Sequence, residues 1–163
     1  MSLTVEDGTG LSTADSYVSV SDALVYHAAM GNTAWAAATE GAQEIALRRA
    51  TQYLDTEYRY RGIRRTTTQA LEWPRVNYES DYRAEEWPVV AVEQATCEAA
   101  LRALTNTLRS DVSSDQVTEE TVGPITIKYA SKSGQTRYPV VASLLRRYVT
   151  GGGSSMLRLE RAS

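Results

Sequence analysis

Phenylalanine is absent from this chain, and cysteine and histidine occur once each, at Cys97 and His27. A single cysteine excludes an internal disulfide, and one cysteine with one histidine makes too few ligands for a Cys/His metal site. Proline occurs only four times. No run approaches the roughly 18 consecutive apolar residues of a membrane span, and the amino terminus lacks the basic-then-apolar pattern of a signal peptide, so the chain reads as soluble, with no membrane partner. A large basic excess is missing too. The formal net charge is -3, which argues against a protein whose main task is neutralising nucleic-acid phosphates, while a local basic patch stays open.

What is present is one domain's worth of chain: 163 residues, 42% of them hydrophobic, enough for a single core. Ten tyrosines and three tryptophans carry all the aromatic content. Tyrosine joins an apolar ring to a polar tip, which suits surfaces buried on assembly as well as the rim of a core.

The first twenty residues hold two β-like runs, 3–5 and 17–20, around Asp7, Gly8 and Gly10, and predict an extended entry. Ser21 stands as an N-cap before a short helix through Ala23, Tyr26 and Met30, stopped by Gly31 and Asn32. After a turn around Trp35, Leu47, Ala50, Leu54 and Tyr58 mark one face of a helix over about 43–58. Gly62, Pro74 and Pro88 break the next stretch, which leaves room for a helical turn at 68–73. The strongest helix follows Pro88 and carries Val89, Val92, Ala95 or Thr96, Ala99, Ala100, Leu104 and Leu108 on its core stripe until about Ser110. The acidic run 111–120 reads as a surface loop. Alternation of Val122, Ile125, Ile127 and Tyr129 predicts one strand, and Tyr138 and Pro139 open a last helix that ends at Gly151. The fold class is therefore mainly α: a small bundle of three to four helices with a few short strands. Residues 1–150 form the helical domain and 151–163 an extended tail.

Candidates for chemistry are sparse. Gly8-Thr9-Gly10 lacks the lysine of a phosphate loop and the third glycine of a dinucleotide loop. His27 reads as a helix-surface histidine and Cys97 as a small packing residue, because no nucleophile or general-base signature accompanies either. Glu85 and Glu86 are neighbours in sequence that need not converge. No catalytic constellation, cofactor motif or metal-ligand set emerges, so the chain is not expected to be an enzyme. The richest segment is Tyr53 to Arg65, where Tyr58, Arg59, Tyr60, Arg61, Arg64 and Arg65 interleave. Such a segment stacks bases and neutralises phosphates in single-strand binders, yet tyrosine and arginine also dominate protein–protein hot spots. The acidic chain favours the interface reading.

In order, LTVEDGTGLSTADSYVSVSDALVYHAAMGNTAW, ALRRATQYLDTEYRYRG, QALEWPR, ATCEAALRAL, VGPITIKY and YPVVASLLRRYV resemble a family of small tailed-phage proteins. These are head-to-tail connector, adaptor or head completion subunits, and some bear the label DnaT-like single-stranded DNA-binding protein. The likeness spans about residues 3–149, and VEDGTGL...ADSYVSV and QALEWPR are its most specific pieces. It implies a helical virion subunit, assembled in the host cytoplasm, that forms a homo-oligomeric ring, usually of twelve copies, beneath the portal protein. Such a ring extends the channel through which DNA passes without sequence-specific binding, and offers a platform to a tail or nozzle protein.

The tail lies outside that likeness. Gly151, Gly152 and Gly153 with Ser154 and Ser155 read as a hinge, and 13 residues at 3.3 to 3.6 Å each reach about 40 Å. Met156, Leu157 and Leu159 are candidate apolar anchors on the portal, and Arg158 and Arg161 candidate partners for its acidic residues.

Overall fold

A computed structural model describes residues 2–77, 89–109, 119–122, 125–128 and 138–150, the two short stretches 119–122 and 125–128 by their backbone alone. Five helices are present among them: α1 (Val20–Ala29), α2 (Thr33–Ala37), α3 (Glu40–Glu57), α4 (Val90–Ala103) and α5 (Pro139–Leu145). Two antiparallel strand pairs complete the elements, β1 (Ile63–Arg64) with β2 (Arg75–Val76) and β3 (Glu119–Val122) with β4 (Ile125–Lys128). The mainly helical architecture expected from the sequence is what the chain adopts.

The core is a helical sandwich in which α4 packs between α3 and α5 while α1 and α2 close one end. Helix α3 buries Ala46, Leu47, Ala50, Tyr53 and Leu54, spaced three and four apart. Helix α4 answers with Val92, Ala95, Thr96, Ala99, Ala100 and Ala103, mostly small side chains that let the two helices approach closely. Leu104, expected on the stripe, is only half-buried because it caps the helix end, whereas Leu108 turns back into the core.

Several boundaries differ from the expectations. The N-cap of α1 is Ser19, whose Oγ accepts the Asp22 N–H at 3.0 Å, so that Ser21 lies within the first turn. At its other end Gly31 takes the left-handed conformation (φ 73°), with Gly31 N–H donating to Ala28 O and Asn32 N–H to His27 O. That is a Schellman closure, which a side chain would strain. Trp35 lies in helix α2 rather than in a turn, and anchors that helix from a fully buried position. Residues 68–73 form bends instead of a helical turn, because Gln69 there spends its side chain on the local backbone. The expected single strand is a hairpin, with Val122 opposite Ile125, so one period-two pattern was shared by two strands. At the amino terminus the entry segments are linked by an isolated parallel bridge, Val5 to Ser16, in which Glu6 N–H donates to Ser16 O and the Asp15 and Ser16 N–H groups to Thr4 O.

Candidate interaction surface

The two loop motifs turn out to be structural pins. In VEDGTGL the Glu6 carboxylate is 3% exposed and accepts the N–H groups of Gly8 (2.9 Å), Gly10 (2.8 Å) and Leu11 (2.9 Å). The backbone nest that might have cradled a phosphate is therefore filled by the chain's own anion. Gly8 and Gly10 both have positive φ, and a Cβ on Gly10 would stand 3.0 Å from the Thr66 side chain. Leu11 O accepts from Ala70 N–H, so this nest leans on the second motif.

In QALEWPR, Gln69 is 2% exposed. Its Oε1 accepts from Thr66 N–H, and its Nε2 donates to Leu71 O and Pro74 O. Trp73 is fully buried, edge-on to the rings of Tyr60 and Tyr148, and its backbone N–H donates to the Tyr17 hydroxyl at 3.1 Å. That hydroxyl donates in turn to Asp55 Oδ1, while Glu72 N–H donates to Asp55 Oδ2 at 3.1 Å.

Burial lifts the Asp55 carboxyl to about 6, against the opposing pull of the Tyr17 and Glu72 hydrogen bonds. Glu72 pushes in the same direction as burial, Arg64 in the opposite one, and Tyr60 faces the same pocket. A folded-state value above the ordinary carboxylate range means that the folded chain holds this proton more tightly than the unfolded one. Its contribution to stability is thus fully present below about pH 4 and is lost as pH rises through about 6. Melting curves between those limits should show the wild-type chain losing stability relative to Asp55→Asn by about 1–2 kcal/mol, a figure reduced because the carboxyl is not wholly shielded from solvent. Parallel pH profiles of the two proteins would contradict this.

The Tyr/Arg segment divides into two halves. After α3 the chain leaves in extended form at Tyr58, so alternate residues point to opposite sides. Tyr60 is 6% exposed and turned into the core, where its hydroxyl donates to Leu54 O, and the half-buried Tyr58 sits edge-on to Tyr53. Arg59, Arg61, Arg64 and Arg65 are exposed. Tyr60 is thus not free to stack a base in the alternative, single-strand-binding reading of this segment, because it faces inward against Trp73. What remains outside is the arginines.

The structure also adds to that edge residues that sequence spacing missed. An antiparallel bridge joins Tyr60 to Val149, with Arg61 N–H donating to Tyr148 O and Thr150 N–H to Arg59 O. This brings the exposed Arg146 and Arg147, at the end of α5, beside the segment. Arg75 arrives by strand pairing, directly opposite Arg64, and donates to Arg61 O, Gly62 O and the Glu72 carboxylate. The RR pair at 146–147 was the available signal, but the bonds that join the two segments are between residues 88 and 91 apart in sequence, which hides the contact.

His27 is not a surface residue: it is 1% exposed, packed between Tyr26 and Trp35, with Nδ1 3.2 Å from the Asn32 amide. Burial lowers its pKa, opposed by Glu98 and the Cys97 backbone. Cys97 is buried, and its thiol is pushed up to about 12 by desolvation and then by Glu93, Glu98 and Asp22, the reverse of an activated nucleophile. Among the described residues no group of three or more His, Cys, Asp and Glu could hold a metal, and no helix is long and apolar enough to cross a membrane. Glu85, Glu86, the run 111–118, the glycines 151–153 and the tail residues Met156, Leu157, Arg158, Leu159 and Arg161 lie outside the described residues.

The described residues make a small, mainly helical protein with an edge lined by exposed arginines. Residues 1–162 match the family described as "Putative DnaT-like ssDNA binding protein", and the chain belongs to that family. No curated protein and no solved structure matches it.

Proposed function

We propose that this chain is a virion structural protein, a head-to-tail adaptor whose copies form a ring on the portal, extend the DNA channel and present a platform to a tail or nozzle protein. The observation that carries this reading is the outer face of α1. That helix buries Ala23 and His27, yet Leu24 (42% exposed), Val25 (69%) and Met30 (58%) remain in solvent together with Ala28 and Ala29. A helix that leaves several large apolar side chains in solvent beside its buried face is suited to being covered. The overall negative charge agrees with a channel that does not grip phosphates.

Binding of single-stranded DNA is the second reading. It is favoured by the family's description and by the exposed Arg59, Arg61, Arg64 and Arg65, and weakened by the inward turn of Tyr60. Electron microscopy and sedimentation of the protein mixed with its portal should show a ring seated on the portal, and the protein should copurify with particles. A protein that shifts single-stranded oligonucleotides at physiological salt, and never enters particles, would replace the adaptor with the binding protein. In the adaptor reading Gly151–Gly153 act as a hinge, and Met156, Leu157, Arg158, Leu159 and Arg161 hold the portal. A chain truncated after Thr150 should then lose portal binding and yield no tail-bearing particles.

A further inference from the structure

The subunit carries two apolar patches whose surrounding charges are opposite in sign. The first is the outer face of α1, where Leu24 and Val25 are exposed. Asp22 is the charged residue on that helix surface, and Glu93 of α4 stands near enough to it that the Asp22 charge adds to burial in raising the Glu93 pKa. Val90, one turn before Glu93, is 57% exposed and extends the apolar area onto α4. No lysine or arginine occurs in α1 or in the first two turns of α4.

The second patch is the β1–β2 pair. Ile63 and Val76 are cross-strand partners, and both are exposed, at 59% and 36%. The next pair in register is Arg64 opposite Arg75, an arrangement of like charges that destabilises a strand pair left to itself. Arg59, Arg61 and Arg65 flank the pair, and the Tyr60–Val149 bridge adds Arg146 and Arg147. Among the described residues, Glu72 offsets Arg75, at 2.6 Å, and Asp55 is bonded to Tyr17 and Glu72 N–H. The two patches belong to different parts of the fold: α1 packs on α2, α3 and α4, whereas β1 and β2 pack on each other.

We infer that these patches are partners across copies: the acidic-bordered apolar face of α1 and α4 in one subunit docks on the arginine-bordered Ile63–Val76 pair of the next. A surface that fits a different surface of an identical chain makes a head-to-tail contact, and such contacts propagate until they close into a ring. Apolar area supplies the attraction, and the opposed charges set the orientation and suppress like-on-like pairing. The inference rests on the reading of the protein as a ring-forming subunit and identifies the two sides of its contact.

The test uses two full-length variants at exposed positions, Val25→Arg on one patch and Ile63→Glu with Arg65→Glu on the other. Circular dichroism and melting first establish that each keeps its fold. By sedimentation velocity, wild-type self-association should weaken as salt rises from about 0.05 to 0.5 M, because the bordering charges are screened. Each variant alone should associate at least tenfold more weakly, equivalent to about 1.4 kcal/mol. Mixed in equal amounts, the two variants should form heterodimers that grow no further, since each retains the one patch that its neighbour needs.

Mixtures that remain monomeric, variants that assemble like the wild type, or a wild-type chain that stays monomeric up to about 1 mM (a contact worth less than about 4 kcal/mol) would overturn the inference. So would loss of oligonucleotide binding in the Ile63/Arg65 variant with assembly unchanged, which would assign that patch to DNA. Portal binding is scored separately. Rings that assemble through these patches yet ignore the portal sink the adaptor reading alone, and portal-seated rings formed equally well by both variants sink this inference alone.

Discussion

Trp73→Ala is expected to destabilise the protein by about 4 kcal/mol, and to lower its melting temperature by roughly 10 °C, the largest effect of any single substitution considered. Trp73 is fully buried, with its ring centroid 5.6 Å from that of Tyr60 and 5.8 Å from that of Tyr148, so truncation would open a cavity between the two tyrosines. Tyr60 and Val149 form the bridge between the post-α3 segment and the end of α5, and the cavity lies beneath it. Trp73→Phe refills part of the space and should cost less than half as much. Urea unfolding of the three proteins measures both values. A loss below about 1 kcal/mol for the alanine variant would mean that the loop is a surface appendage and does not contribute to the core.

Glu6→Ala should follow at about 3 kcal/mol. Its carboxylate satisfies three backbone donors, Gly8, Gly10 and Leu11, and a buried N–H left without an acceptor costs about 1–3 kcal/mol, moderated here by water reaching the partly exposed Gly10 and Leu11. Glu6→Gln keeps one acceptor oxygen for Gly8 and Gly10 but turns an amide donor towards Leu11 N–H, so its loss should be intermediate. Hydrogen exchange localises the effect: protection at Gly8, Gly10 and Leu11 should vanish in the alanine variant while α3 and α4 keep theirs. If those three amides exchanged as slowly as in the wild type, the carboxylate would not be what holds the loop.

Both predictions concern motifs that were conspicuous in the sequence and silent about their purpose. VEDGTGL and QALEWPR are the most specific pieces of the family likeness, and neither carries a chemical signature. In the fold they satisfy each other and the core: Leu11 O receives Ala70 N–H, and Gly10 sits against Thr66 and Gln69. Composition could not separate a loop that binds a ligand anion from one that binds its own Glu6, because both need the same exposed backbone donors.

The helices were legible for a local reason. Leu47, Ala50 and Leu54 recur at helical spacing, and Gly31 marks the end of α1 because only a left-handed residue closes that turn. His27 was misplaced for the opposite reason. Nothing within its own turn shows that α2 will bring Trp35 4.7 Å from its ring.

The sequence by itself determined the mainly helical class, the presence of α1, α3, α4 and α5, and the lack of an internal disulfide, since each depends on composition or on residues within a few positions of one another; it missed α2 and ran α4 and α5 past their ends at Ala103 and Leu145. Only the tertiary structure decided which tyrosines face inward and which arginines gather. The reason is that Tyr60 meets Val149, and Arg64 meets Arg75, through contacts between segments that local periodicity does not connect. The candidate surface of this protein is made at those contacts, by chain segments that fold against each other and leave their charge on the outside.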